Sequence, residues 1–266
     1  ATNMDSINLA SQRGLAEQFN QQGLRFTELT PAEGMSAPIP VSSGLSNTAS
    51  IMTHGYNPFI SETSPFHAGY IATIDAITKV VAMGGSVDKI RLSYQEYFES
   101  LGKDPVRWGK PLAALLGAFK VMKELNIPAL GGKDSMSGSF DDIDVPPSLL
   151  CFAVQTTPVN KLNNRVLKDV TSKIVLVNSG YTHDALIDMD HYVRTMNTIK
   201  ELNDAGKILA ASSVTRSIEH EIFEMSAEDR RAVSYDITPQ EGIMPGSLLV
   251  QVANPEILEG LDYTVI

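Results

Sequence analysis

The chain is organised around the stretch Gly131-Gly132-Lys133-Asp134-Ser135-Met136-Ser137-Gly138, which follows an amphipathic helical pattern and precedes an apolar run. Two adjacent glycines allow backbone amides to approach a ligand closely, and the lysine and serine add hydrogen-bond donors. The aspartate adds a hard oxygen ligand of the kind that Mg²⁺ prefers. This chemistry suits a polyphosphate with its metal ion. A glycine turn with a solvated Lys-Asp pair is the alternative that the residues alone leave open.

Two helices with apolar stripes are predicted before this stretch. The first begins at Ser64-Pro65, because serine caps helices and proline fits the first turn, and it ends at Gly84-Gly85. Asp75 lies at the edge of its apolar stripe, where a carboxylate either points into a cleft or pairs with Lys79 one turn on, and the pair is the ordinary explanation. The second helix opens at Trp108-Gly109-Lys110-Pro111 and is expected to bury one apolar face, formed by Leu112, Leu115, Leu116, Phe119, Met122 and Leu125.

The remaining pattern predicts two domains. A short helix is predicted within Ala1–Asn20, and Gly23–Gly44 is expected to be loop with one short strand. The polar segment Thr156–Lys161 separates a first domain, residues 1–155, from a second, residues 160–266, in which strands and helices alternate. The predicted class is therefore α/β with α+β. The apolar ending Tyr263-Thr264-Val265-Ile266 indicates that the second domain is incomplete.

Composition excludes several kinds of protein. The net charge of −10 and the absence of a dense Lys/Arg block argue against a nucleic-acid surface. No apolar run reaches the roughly 18 residues that a membrane span needs, and no secretory leader is apparent, so we expect no membrane partner and a cytoplasmic location. The single cysteine, Cys151, lies in an apolar run and is expected to be a buried small hydrophobe rather than a nucleophile.

From about Ser6 to Val252 the sequence resembles the second synthetase half of the large, single-chain phosphoribosylformylglycinamidine synthases. Several islands occur in the same order as in that family. They are Leu29-Thr30-Pro31-Ala32-Glu33-Gly34-Met35, Ser64-Pro65-Phe66-His67, Tyr94-Gln95-Glu96-Tyr97-Phe98, Gly109-Lys110-Pro111, and Gly131 to Gly138 followed by Asp142-Ile143-Asp144-Val145-Pro146-Pro147. This order favours the phosphate-loop interpretation of the opening stretch.

The resemblance implies a fold of the aminoimidazole-ribonucleotide-synthetase-like type, with an N-terminal domain that contributes strands to a dimeric barrel and a second α+β lobe. It implies an ATP- and Mg²⁺-dependent ligase that converts formylglycinamide ribonucleotide and glutamine to formylglycinamidine ribonucleotide. The implied partners are ATP or ADP and the remaining domains of the synthase, including its glutaminase domain. An isolated barrel half exposes strand edges and apolar surface, so we also expect homodimerisation.

Carried over residue by residue, the resemblance implies that Asp134 ligates magnesium and that Ser135, with Gly131, Gly132 and Lys133, contacts nucleotide. Asp75 falls at the position of a metal-binding glutamate. Three departures from the family pattern concern the same site. They are Lys79 in place of a metal-ligating asparagine, Thr48-Ala49-Ser50 in place of Gly-Asp, and Val214-Thr215-Arg216-Ser217-Ile218 without paired glycines. Because a protonated lysine cannot ligate a metal, we expect weak nucleotide binding or fewer metal ions.

Three functions follow from these observations. The chain is a fragment of the amidotransferase with an auxiliary half-site and no complete reaction of its own, since the sequence lacks a glutaminase nucleophile. Alternatively, it is a non-catalytic structural lobe that stabilises the active half. A stand-alone kinase of the same superfamily is the third hypothesis.

Overall fold

The computed structural model describes most of the chain beyond its N-terminal segment. The described residues are 28–30, 33–168, 171–182, 184–227, 232–235 and 244–266. The helix predicted within Ala1–Asn20 lies outside them. In the described part of the chain, no helix is both long enough and apolar enough to cross a membrane.

Within these ranges the chain forms twelve strands and five α-helices. The strands are β1 (Glu28–Thr30), β2 (Gly34–Val41), β3 (Gly44–Gly55), β4 (Arg91–Tyr97), β5 (Ala129–Lys133), β6 (Ser139–Phe140), β7 (Ile143–Asp144), β8 (Ser148–Pro158), β9 (Lys173–Val177), β10 (Ile208–Ser213), β11 (Leu248–Val252) and β12 (Tyr263–Val265). The helices are α1 (Pro58–Ser61), α2 (Pro65–Ala82), α3 (Pro105–Leu125), α4 (Met189–Asp204) and α5 (Ile218–Ala227).

The strands form two larger sheets and a short ribbon. The first sheet has the order β1-β2-β3-β8-β4-β5, in which only the β4–β5 pair is parallel. The second sheet, β10-β11-β9-β12, is antiparallel throughout, and β6 pairs with β7. This mixed α/β architecture confirms the predicted fold class.

Helix α2 lies at the centre of the molecule. Ser64 caps it by accepting a hydrogen bond from the His67 amide, as predicted, and every residue from Ala68 to Ala82 is buried. The helix packs on β3 and β8 of the first sheet, on α3, and on β10 of the second sheet. Its apolar side chains therefore belong to one continuous core that includes residues such as Ile51 and Val250 from both predicted domains.

The predicted orientation of helix α3 is wrong. Leu112 is 59% exposed and Phe119 is 55% exposed, although both were expected to be buried. The helix instead packs on α2 through small residues: a β-carbon on Gly117 would lie 1.9 Å from the Phe66 carbonyl oxygen. Backbones can approach this closely only where side chains are absent, so the small face turns inward and the leucine face outward.

Strand β2 also differs from the sequence prediction, which was loop with one short strand over Gly23–Gly44. Pro38 and Pro40 lie in this eight-residue strand on either side of a register irregularity. Proline is tolerated at such an irregularity because it has no amide hydrogen to give to the ladder.

Candidate functional site

A groove of about 730 Å³ lies beside the opening stretch. It runs between α3 and the ends of β4 and β5, the parallel pair at the edge of the first sheet. Four predicted site residues, Gly131, Gly132, Lys133 and Asp134, line it together with the apolar side chains of α3. Ser135 does not line the groove; its carbonyl oxygen accepts a hydrogen bond from the Phe98 amide at 2.9 Å.

The two glycines at the groove have different roles. A β-carbon on Gly132 would lie 2.7 Å from the Tyr94 carbonyl oxygen, so this glycine is required by the close pairing of β5 with β4. Gly131 faces open space, where a side chain would meet no atom within 4 Å. Both glycines are exposed, but only at Gly132 does the neighbouring strand exclude a side chain.

The polar groups of the groove are mainly carboxylates. Glu96 and Asp134 both line it, and the Lys133 ammonium donates to the carbonyl oxygen of Asp134, its own neighbour. Burial, and then the charge of Asp134, raise the pKa of Glu96 above its ordinary value. A polyphosphate would meet two negative charges here and a lysine already bound to its own loop.

Asp75 lies elsewhere, on the buried helix α2. Among the described residues no ion pair joins it to Lys79; the Lys79 ammonium instead donates to the His54 carbonyl oxygen at 2.9 Å. Burial raises the pKa of Asp75 to about 7, although the nearby positive charge of Lys79 opposes the rise and Glu33 adds to it. The expected Asp75–Lys79 hydrogen-bonded pair is therefore replaced by a longer-range charge interaction.

Glu33 and Glu221 complete a buried polar cluster with Asp75 and Lys79. The Glu33 carboxylate accepts hydrogen bonds from the Ser212 hydroxyl at 2.9 Å and the Ser213 hydroxyl at 2.6 Å. Glu221 accepts from the Ser212 hydroxyl at 3.1 Å, and its pKa is raised to about 7 by burial and then by Glu33. We call Glu33, Asp75, Lys79 and Glu221 the buried charge cluster. Sequence reasoning missed Glu33 and Glu221, because only the fold brings them together.

The two predicted magnesium ligands lie in different places. Asp134 is exposed in the groove, whereas Asp75 is buried in the charge cluster, and no interaction joins the two. Within the described ranges, no group of three or more His, Cys, Asp or Glu side chains is arranged to hold a metal ion. Lys79 already supplies the positive charge that the buried carboxylates need, so the cluster does not fit a magnesium ion.

The buried charge cluster predicts a specific pH dependence of stability. Asp75 and Glu221 have folded-state pKa values near 7, above their ordinary values of 3.8 and 4.5. A raised carboxyl pKa gives stability that is complete at low pH and is lost as the pH rises through the folded value. We expect the free energy of unfolding to fall by at most about 1.4 kcal/mol per pH unit and per carboxyl group up to pH 7.

Urea unfolding between pH 6 and pH 9 measures this effect, with the stability levelling off above about pH 8. The double variant D75N/E221Q should flatten the profile, while D142N, at an exposed carboxylate, should leave it unchanged. A wild-type stability that stays constant or rises across this range would contradict the assignment.

No protein-family model matches the chain, and no curated protein matches it. Among solved structures, phosphoribosylformylglycinamidine synthase II from Thermotoga maritima matches with a TM-score of 0.65 and 16% identity, covering 89% of this chain and 36% of that one. PurL of the same organism complexed with ADP matches with a TM-score of 0.69 and 14% identity, covering 97% and 40%.

The chain therefore shares the fold of these Thermotoga maritima structures. Thiamine monophosphate kinase from Aquifex aeolicus also has it, with a TM-score of 0.60 and 12% identity over 95% of this chain and 92% of that one. At these identities the likeness concerns the fold alone. The chain spans about two fifths of the length of the PurL structures, whereas it spans nearly all of the kinase.

Proposed function

We propose that the chain is the second synthetase half of a phosphoribosylformylglycinamidine synthase of the large, single-chain type. One observation carries the proposal: the fold matches PurL over almost the whole of this chain but over only 36–41% of PurL, as expected for one half of a two-half synthetase. The ordered sequence islands support the same assignment. In this proposal the partners are the remaining domains of the synthase, including its glutaminase domain, and the enzyme acts in the cytoplasm.

The proposed role of this half is auxiliary. Structures of Thermotoga maritima PurL contain ATP, ADP or AMPPCP, and by analogy we infer that a nucleotide would contact the Gly131–Ser135 segment. The acidic groove and the lysine of the buried charge cluster support a site that binds nucleotide weakly and holds fewer magnesium ions than a complete site. Because such a site is incomplete, we propose that the chain on its own does not convert substrate to product.

A second candidate function is a non-catalytic lobe that stabilises the active half. Lys79 favours this non-catalytic function, because an ammonium group that donates to the His54 carbonyl oxygen cannot also ligate a metal. The two functions differ in whether any nucleotide binds.

Turnover assays test the proposal against a stand-alone kinase. We expect the chain alone to show neither ATP-dependent phosphorylation of small substrates, with thiamine monophosphate as the first, nor ammonia-dependent formation of formylglycinamidine ribonucleotide. Addition of the remaining synthase domains should give the second activity. Clear phosphorylation by the chain alone would exclude both proposed functions, and a failure of the assembled domains would exclude the first.

The outer face of the first sheet leads to a prediction about self-association. Met52 and Val154 are paired across β3 and β8 and are 44% and 37% exposed, on the sheet face opposite α2. Apolar residues grouped on a sheet face usually mark an interface. We expect a homodimer at micromolar concentration in light scattering, and V154E should convert it to a monomer.

The control for this experiment is F59E, which replaces another exposed apolar side chain but lies on α1, away from the sheet face. It should leave the dimer intact. A monomeric wild-type chain at 100 µM, or equal dissociation of both variants, would count against this interface.

A further inference from the structure

Glu96 places a buried carboxylate without a partner in the wall of the groove. It follows Leu92 and Tyr94 on the inward-facing side of β4 and is only 6% exposed. Its Oε1 atom is buried and, among the described residues, accepts no hydrogen bond. An unsatisfied buried acceptor is costly, and a charged one more so. The side chain therefore points to a hydrogen-bond donor that the described part of the chain does not supply.

Three cations on the elements that border the groove are bound to other groups. Lys110 donates to Glu99 at 2.7 Å, and Arg107 forms an ion pair with Asp144 at 2.9 Å. Lys133 donates to a carbonyl oxygen of its own loop. Asp134 adds a second carboxylate to the groove, and Lys133 is the one cation among the described residues that line it, so the groove keeps a net negative charge that suits a positive ligand.

The opposite wall of the groove is apolar and open. Helix α3 presents Trp108, Leu112 and Leu115 to it, and Trp108 is 57% exposed. A volume of about 730 Å³ lies within the usual range for sites that hold one small molecule, roughly 300–1,000 Å³. Burial of an apolar ligand body against these side chains would add binding energy without any further polar contact.

We propose that this groove binds a small organic cation, an amine or amidine that carries an apolar body. Its N–H groups donate to the Glu96 carboxylate, and its apolar part contacts Trp108 and Leu112. A small molecule is favoured over a basic side chain of a protein partner because the volume of the groove matches a single small ligand. The inference does not depend on the proposed function.

Trp108 makes the binding measurable, because it is the only tryptophan of the chain and it lines the groove. The 266-residue chain is titrated with three non-absorbing probes of the same shape: cyclohexylmethylamine, cyclohexylmethanol and cyclohexanecarboxylate. We expect the fluorescence of Trp108 to saturate with the amine at a concentration about tenfold or more below that needed for the alcohol. The carboxylate should give no saturable change.

Two variants test the role of the carboxylate. E96Q keeps the size of the side chain and should remove the preference for the amine over the alcohol, whereas D142N, an exposed carboxylate that does not line the groove, should preserve it. Circular dichroism confirms that each variant is folded. The proposal is overturned if the wild-type chain shows no saturable response to the amine, or if E96Q binds the amine as wild type does. It is also overturned if Mg²⁺ alone gives the fluorescence change and the amine does not.

Discussion

Gly117→Ala is expected to lower the free energy of unfolding by about 2–3 kcal/mol, although it adds only one methyl group to a helix. The new β-carbon would lie 1.9 Å from the Phe66 carbonyl oxygen and 2.9 Å from the Tyr70 amide nitrogen. Both neighbours are backbone atoms of α2, the central helix, and they cannot move aside as a side-chain tip can. The two helices must separate, which weakens the packing of α2 at the centre of the core. Urea unfolding measures the loss.

Gly109→Ala is the matched control for this substitution. Gly109 lies in the same helix, but a β-carbon there would meet no atom within 4 Å. Because alanine has the higher helix propensity, this variant should be about 0.5–1 kcal/mol more stable than wild type. Equal effects of the two substitutions would contradict the close contact between α2 and α3.

Lys79→Met is expected to destabilise the protein by about 3–5 kcal/mol at pH 8, the cost of removing one partner from a buried group of charges. Lys79 is buried, and its positive charge lowers the pKa values of Asp75 and Glu221. Without it, both pKa values should rise further. The loss of stability should therefore be smaller at pH 6, where the two carboxyl groups can take up protons.

Lys120→Met is the control for the loss of a lysine. Lys120 forms an exposed ion pair with Glu124 one turn away on α3, and such pairs contribute only about 0.5 kcal/mol. The comparison requires urea unfolding of both variants at pH 6 and pH 8. A Lys79→Met variant as stable as Lys120→Met at pH 8 would show that Lys79 does not neutralise the cluster.

Helices and strands that depend on residues close together in the sequence were predicted from that local pattern. The capping serine and the proline after it fixed the start of α2, and a run of alternating residues gave β4. The second helix begins at Pro105 rather than near Trp108, because the Asp104 side chain accepts a hydrogen bond from the Val106 amide and caps it. Cys151 is completely buried as expected, and burial raises the pKa of its thiol to about 12.

Predictions failed where the decisive contact is distant in sequence. The apolar stripe of α3 indicates an amphipathic helix, but it does not reveal that Gly117 and Ala118 form the face that meets α2. The same is true of the candidate site. Residues of the opening stretch do line one groove, yet the Glu96 carboxylate beside them comes from another strand, and Asp75 lies in a separate cluster.

Glu33 and Glu221 show the same limit in the buried charge cluster. Neither has a local pattern that indicates a shared site, and the fold places both carboxylates beside the single Ser212 hydroxyl of β10, at 2.9 Å from Glu33 and 3.1 Å from Glu221. In the sequence, only the family resemblance singles out the segment around Glu33. A buried carboxylate in an otherwise unassigned loop is a signal for such clusters, but burial is visible only after the chain has folded.

Titration calorimetry of the chain with Mg²⁺-ADP tests the central proposal most directly, that this chain carries an incomplete metal-nucleotide site. The buried charge cluster contains its own cation, and the groove beside Gly131 carries two carboxylates. We therefore predict a dissociation constant weaker than roughly 0.1 mM, with only a weak dependence on the Mg²⁺ concentration. Submicromolar binding that requires Mg²⁺, with one or more metal ions bound per chain, would contradict the account.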